Sequence, residues 1–353
     1  MEAATAAARP ARRIRGERKD QIAKWVLIAL LLALPVYYGF KDIAEDGDLS
    51  RLANNLKDGL SNGAILALIA IGYTLVYGII ELINFAHGEV FMIGTVTAFS
   101  FFGTVGLTVA TGPLGTIAGI VITLVLAMIA CGALNVMIER VAYRPLRDAP
   151  KLAPLVAAVG FSFILQNVGQ QWIGSSHRGV PDLIGSQDSL FSVLGINFIN
   201  GDLLALVVTV PLVILLVNFI GRSRLGRAMR ATAQDPEAAR LQGINVDTTI
   251  GLTFLLGGMM AGAAGLAYAL YQTDAWFFQG FTAGLLAFTA AVLGGIGNLQ
   301  GAVLGGLIIG VIQQISDNRI DPTWTPALVF AYLILILIFR PQGLLGEKGR
   351  EAG

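Results

Sequence analysis

An all-α, polytopic integral membrane bundle of about ten spans, with both termini cytoplasmic, is the fold class this sequence predicts. Three observations predict it. Of the 353 residues, 55% are hydrophobic and only 13% charged, with a mean hydropathy of +0.71; soluble domains run near a quarter charged. Apolar runs recur along the chain at the length of roughly 20 residues that a helix needs to cross the hydrocarbon core. Basic residues concentrate in alternate connections, as the positive-inside rule requires. Other classes fall away on the same figures. A formal net charge of +1 excludes nucleic-acid binding through overall positive charge. One cysteine, Cys131, makes neither a disulfide framework nor a cysteine metal cluster. The 43 glycines suit helices that pack backbone to backbone.

In chain order, residues 1–23 read as a basic cytoplasmic tail and Lys24–Phe40 as an extra N-terminal helix. Its basic start and apolar middle also fit a signal peptide, but no small-residue cleavage site follows Pro35–Phe40, which favours a retained helix. The transmembrane core, 56–340, runs through Leu56–Ile80, Val90–Val109, Leu114–Ile138, Leu152–Ile173, Asp202–Ile220, Thr249–Tyr271, Thr282–Ile296, Gly301–Ile315 and Pro326–Phe339. Residues 341–353 form a cytoplasmic tail. With the N-terminus inside, internal segments hold 19 of the 24 basic residues, and the reverse orientation places them outside. The main external segments are then the acidic stretch Asp42–Asp48 and the loop Gly174–Gly201.

Two internal connections are sizeable: Glu139–Lys151 (ERVAYRPLRDAPK) and Arg222–Thr248. In the second, Asp235 suits an N-cap, Pro236 the first helical position, and Glu237 the positive end of the helix dipole. Gly243 suits the left-handed residue just past the last turn. A helix of about two turns follows, and by itself it reads as a capped surface helix whose arginines enforce topology.

Glu81, Asn84, His87 and Glu89 make a polar island, ELINFAHGE, between apolar stretches. A charge at mid-bilayer costs about 2.5–3.5 kcal/mol on insertion scales, so the island does not face lipid. It reads either as a cytoplasmic hairpin turn bent at Gly88, or as a broken, re-entrant element lining or gating a pathway. His87 has no histidine partner for a metal, since His177 falls on the opposite side, and no metal site is expected. A second glycine-rich break, Gly294–Gly301, contains Gly295, Asn298 and Gln300, and the pair of breaks suggests a parallel internal repeat. Gly-xxx-Gly pairs at 115/119, 258/262, 301/305 and 306/310 suit close helix contacts, chiefly within the subunit. Asn167, Gln170, Gln171, Gln272 and Asp274 lie where an external solute or protein arrives; so do Asp42, Glu45, Asp46 and Asp48, which read by default as a solvated acidic loop. Trp172, Trp276 and Trp324 fall near interfaces, where anchoring accounts for them.

Four separated stretches carry a resemblance to a known family. GYTLVYGIIELINFAHGEVFMIG at 72–94, ERVAYRPLR at 139–147, GRAMRATAQDPEAARLQGIN at 226–245 and FTAAVLGGIGNLQGAVLGGLIIG at 288–310 are similar to the branched-chain amino-acid ABC transporter permease family. Within the third, Glu237-Ala238-Ala239, three residues and Gly243 resembles the EAA loop of ABC importer permeases. The resemblance spans about Leu56 to Leu345; the extension Met1–Asp48 departs from it. It implies a permease in the bacterial cytoplasmic (inner) membrane that pairs with a second homologous permease or a second copy of itself. Two ATP-binding subunits and an external substrate-binding protein complete the implied assembly. It further implies that Asp235, Glu237, Ala238, Ala239 and Gly243 couple the spans to those ATPases. Glu81, Asn84, His87, Gly88, Glu89, Gly295, Asn298 and Gln300 are the pathway or gate candidates.

No lysine follows a glycine, so a Walker A loop is missing and ATP with Mg is expected on partner subunits, with no cofactor and no catalytic residue on this chain. A urea or short-amide permease of the same family fits the same motifs. An ion-coupled secondary transporter requires acidic residues deep in the spans, whereas Glu81, Glu89 and Asp274 read as edge residues. An intramembrane serine protease lacks its nucleophile motif, since Gly160-Phe161-Ser162 has no closing glycine.

Overall fold

A computed structural model describes residues 8–45, 47–107, 112–147, 149–150 and 152–346. Expectations resting on 1–7, Asp46, Val109, Lys151 and 347–353 lie outside the described residues. The chain is an all-α bundle. Its helices are α1 (Ala8–Glu45), α2 (Ser50–Ile80), α3 (His87–Val105), α4 (Pro113–Ile138), α5 (Leu152–Ile173), α6 (Asn200–Arg222), α7 (Arg224–Gln234), α8 (Pro236–Leu241), α9 (Val246–Gln272), α10 (Gln279–Gly294), α11 (Leu299–Arg319) and α12 (Thr325–Phe339). Among the described residues, eight of these segments are long and apolar enough to cross a membrane, and α10 is a shorter apolar helix. With α1, whose helix contains the expected Lys24–Phe40 span, the apolar segments match the ten candidates to within a few residues.

The centre is set by composition. Every residue of α2 from Ser61 to Val76 is buried, and a helix that is apolar all round belongs in the middle of a bundle. Alongside it, α9 is buried from Met260 to Ala267. At the rim, Leu203, Leu206, Val207, Val210, Ile214 and Leu215 of α6 are exposed, an apolar face suited to lipid.

Glycine decides how closely the central helices approach. A Cβ on Gly63 of α2 would lie 2.8 Å from the Leu307 Cα of α11, and one on Gly306 2.6 Å from the Ala67 Cα. Gly301 and Gly305, on another face of α11, are pressed in the same way against Gly294 and Ala290 of α10. Gly258 and Gly262 of α9 receive α4 at Cys131 and Ala127. These pairs serve packing inside the subunit.

One end of the bundle is basic. There, α4 runs into a π-helical turn (Glu139–Tyr143) and a 3-10 turn (Arg144–Leu146), and α6 into α7 and α8. The helix α7 departs from the single short helix expected in that connection. Leu225, Met229 and Thr232 pack inward while its arginines face out, an amphipathic turn pattern that the charges disguise.

The opposite end carries a hairpin, β2 (Ser189–Val193) with β3 (Ile196–Ile199), turned at Leu194-Gly195, and a two-residue pairing of β1 (Arg178–Gly179) with β4 (Asp274–Ala275). Asp42 departs from the solvated acidic loop. It is fully buried at the end of α1 and receives Arg319 of α11 bidentately, at 2.9 and 2.7 Å. The Tyr38 ring stacks under the same guanidinium at 5.6 Å. This contact ties the extra N-terminal helix to the core.

Candidate functional site

At the basic end, the connection from α6 to α9 is built from local caps. Ser223 Oγ accepts from Gly226 N at 2.9 Å and starts α7. Arg230 Nη1 donates to Ile220 O at 2.5 Å, placing a cation on the terminal carbonyls of α6, where the helix dipole favours it. Asp235 Oδ1 accepts from the backbone of Glu237 and of Ala238, both at 2.9 Å, and starts α8. The end of α8 is a Schellman motif: Ile244 N donates to Ala239 O and Gly243 N to Arg240 O, each at 3.0 Å, with Gly243 at φ +81°. Asn245 then caps α9 through Thr248 N at 3.0 Å.

The result is a short rod fixed at both ends. Ala239 is buried beneath it, while Glu237, Ala238 and Arg240 are exposed and Leu241 is 88% exposed. An exposed leucine beside a small alanine is a surface that a partner can cover. The other basic connection braces this unit. Asp247, in the first turn of α9, accepts from Arg144 Nη2 at 2.7 Å and Arg147 Nη1 at 2.5 Å, and Arg147 also pairs with Glu139. Asp247 was not among the expected residues; the Asn245-Val246-Asp247 run at the helix start is its only local signal.

All of the polar island but Glu81 lies inside the bundle. Gly72 of α2 packs against the His87 ring, eight residues before α2 ends, which is about 12 Å along the helix. The non-helical segment Glu81–Ala86, left-handed at Glu81 and turned at Phe85-Ala86, therefore carries the chain back inward, a re-entrant break rather than a solvated turn. Asn84 is its hub. Its Nδ2 donates to Asn135 Oδ1 of α4 at 3.1 Å, and Asn135 in turn donates to Phe254 O of α9 at 2.7 Å. Tyr143 of the π-helical turn donates to Ile83 O at 3.0 Å. Irregular backbone at membrane depth needs such internal partners.

Beyond the hub, His87 meets Tyr73 edge-on at 4.8 Å, and Gly88 lies against Gly280 and Gly284 of α10. Glu89 Oε1 accepts from Ser162 Oγ at 3.1 Å and from Gln166 Nε2 at 2.8 Å, both on α5. The structure thus gathers Asn84, His87, Gly88 and Glu89 in the interior.

The remaining candidates sit elsewhere. Glu81 and Gln300 are exposed at the basic end. Gly295 and Asn298 clasp the segment after α12: Asn298 Nδ2 donates to Leu345 O at 2.9 Å, and the Leu344 and Leu345 amides bond to Leu293 O and Gly294 O at 2.8 and 2.9 Å. The second break lies against the end of α2, since a Cβ on Gly78 would lie 3.5 Å from the Gly297 Cα. On α5, Asn167, Gln170 and Gln171 are all exposed, and Gln166 is the inward amide. The i, i+4 spacing of Ser162 and Gln166 on an apolar helix was the signal for that face.

Residues 55–338 match the family described as the permease component of branched-chain amino acid transport systems. The chain belongs to that family. Among curated relatives, the high-affinity branched-chain amino acid transport system permease protein BraD of Pseudomonas aeruginosa is 42% identical over 84% of this chain and 96% of its own. LivH of Escherichia coli, described by the same words, is 41% identical over 83% of this chain and 95% of its own. The fructose import permease protein FrcC of Rhizobium meliloti is 30% identical, but over only 52% of this chain and 54% of its own. The likeness to the amino-acid permeases thus covers more than four-fifths of this chain, and that to the sugar permease about half. This permease is a multi-pass membrane protein, a transport subunit rather than an enzyme.

Proposed function

We propose that this permease carries branched-chain, hydrophobic amino acids inward across the bacterial inner membrane as the membrane subunit of an ABC importer. The near-full-length identity to permeases described for those solutes supports the substrate. The basic end is the cytoplasmic one, by the concentration of Lys and Arg in its connections. There α8, with Asp235, Glu237, Ala238, Ala239 and Gly243, is the coupling helix. A separate ATP-binding subunit grips it, and a second such subunit grips the companion permease, whether a homologue or a second copy. ATP and its Mg are bound on those subunits. An external substrate-binding protein delivers the solute at the opposite end.

The single observation that carries the coupling role is the rod itself: six helical residues, capped at both ends, exposed on one side and packed against α7 and α9. A rod of this kind transmits a displacement that a loop absorbs. The interior group Asn84, His87, Gly88 and Glu89 lies at the junction of α2, α3, α4, α5 and α10, where a change in their packing opens or closes the path; Glu81, Gly295, Asn298 and Gln300 border it at the cytoplasmic end. An aliphatic side chain crosses an apolar path readily, while the zwitterionic end needs these few polar groups or water.

Uptake of labelled leucine, isoleucine and valine by cells carrying the complete importer, in competition with urea, tests the solute. Saturable leucine uptake that excess urea leaves unchanged is expected. Uptake of urea with no uptake of leucine overturns the reading.

A further inference from the structure

The opposite end of the bundle holds a cavity of about 270 Å³ that the coupling and gate assignments leave unused. It is enclosed by α2, α3, α9, α10 and α11, with the β4 segment at its mouth. Its floor is apolar and buried, formed by Ile65, Ile69, Phe91 and Leu286. Two of its polar side chains are already paired, Asn62 Nδ2 donating to Gln313 Oε1 at 3.2 Å. Gln279, at the start of α10, is 5% exposed; its Oε1 accepts from Trp276 N at 3.0 Å, which fixes the amide, and its Nε2 has no hydrogen-bond partner. At the rim, Asp274 Oδ2 pairs with His177 Nδ1 at 2.7 Å, and the His177 ring stacks on Trp276 with centroids 4.7 Å apart.

We propose that this cavity is an outer binding pocket for a free α-amino acid with an aliphatic side chain. Gln279 Nε2 donates to the carboxylate, Asp274 attracts the ammonium group, and the side chain rests on the apolar floor. The buried amide with nothing to donate to is the decisive feature, because a native protein seldom leaves such a donor unused. A ligand oxygen satisfies it. The volume agrees with the class: it lies just under the roughly 300–1,000 Å³ of pockets for drug-sized ligands, which leaves room for one amino acid. Asp274 faces a single histidine rather than a set of carboxylates, and among the described residues no group of three metal-ligating side chains forms. This proposal rests on the amino-acid reading above and adds the place where the solute first leaves its delivery protein.

Cys131 is the only cysteine and is fully buried, so one introduced thiol reports alone. Thr282 lines the pocket and is exposed. In membranes holding the complete importer with its binding protein, Thr282→Cys is labelled from outside by an impermeant thiol reagent. Saturating L-leucine is expected to slow that labelling about tenfold, and urea to leave it unchanged. Adding Gln279→Glu keeps an acceptor for Trp276 N but turns a carboxylate toward the ligand's carboxylate. Protection by leucine is then lost, and the apparent Km for leucine rises about tenfold or more, the scale of one displaced hydrogen bond. Labelling in the absence of solute persists. Leucine uptake by the parent chain with no protection of Thr282→Cys overturns the pocket and leaves the transport reading standing. Full protection and unaltered Km in the Gln279→Glu chain overturn the role of Gln279. Absence of leucine uptake by the unsubstituted importer overturns both. Should the Gln279→Glu chain fail to insert, protection of Thr282→Cys by itself decides.

Discussion

Asp42 and Arg319 are a buried ion pair held by two hydrogen bonds, with Asp42 wholly and Arg319 almost wholly removed from solvent. Removing one partner strands the other charge, and stranded buried charges cost about 3–5 kcal/mol. Arg319→Ala is therefore expected to lower the thermal unfolding temperature of the purified chain markedly, and the double variant Asp42→Ala/Arg319→Ala to restore part of it. Equal losses in single and double variants contradict the pairing. Glu89 makes a different case. Its partners Ser162 and Gln166 are neutral, and Glu89→Gln still offers Gln166 an acceptor, so the folded state is retained. Glu89→Leu leaves both donors unsatisfied at about 1–3 kcal/mol each, and the same unfolding measurement should separate the two substitutions clearly. Leucine uptake that survives Glu89→Leu at full rate speaks against a gate there. Neither pairing is legible in the sequence. Asp42 and Arg319 are 277 positions apart, and Glu89 lies 73 and 77 positions from Ser162 and Gln166.

At the level of single elements, the contacts that could be read beforehand are those made within three or four residues. Asp235 and Gly243 cap α8 because an N-cap reaches two residues on and a Schellman turn closes over five. Span positions were legible for a similar reason, since length and hydropathy are properties of one segment. The helix α7 was hidden because three arginines in seven residues mask the inward face that Leu225 and Met229 give it. For α8, Gly243→Pro removes the N–H that closes the turn and forbids φ +81°, and Glu237→Arg places a cation on the positive end of the rod. Both variants are expected to insert normally yet abolish leucine uptake; normal coupled uptake in either one contradicts the lever. The glycine faces make a contrasting pair. Gly310→Val drives a branched side chain into Gly63 of α2 and is expected to prevent recovery of folded protein. Gly103→Val on α3 meets nothing within 4 Å and is expected to be tolerated. Detergent extraction and size-exclusion chromatography compare the two; equal yields contradict the tight α2–α11 seam.

Across the whole molecule, one design connects these parts. The most enclosed helices, α2 and α9, form a rigid centre, and the re-entrant segment Glu81–Ala86 is stitched to α4 and α9 through Asn84, Asn135 and Tyr143. Asp247 and its two arginines bind the coupling unit to the same α4–α9 pair. A push on α8 thus reaches the interior break through continuous protein. The C-terminal segment, clasped by Gly295 and Asn298, closes the basic end beside the second break. The two breaks differ in position: the first enters the bundle, the second holds the chain's last described turn.

The central claim is that α8 is a lever held by a separate ATP-hydrolysing subunit. Leu241 is its most exposed apolar residue, and Cys131 offers no competing thiol. Site-directed cross-linking from Leu241→Cys in the assembled importer measures this most directly. A cross-link to the ATP-binding subunit, changing in yield between nucleotide-free and ATP-bound states, is the predicted result. A reactive thiol that captures no ATP-binding subunit in any nucleotide state contradicts it.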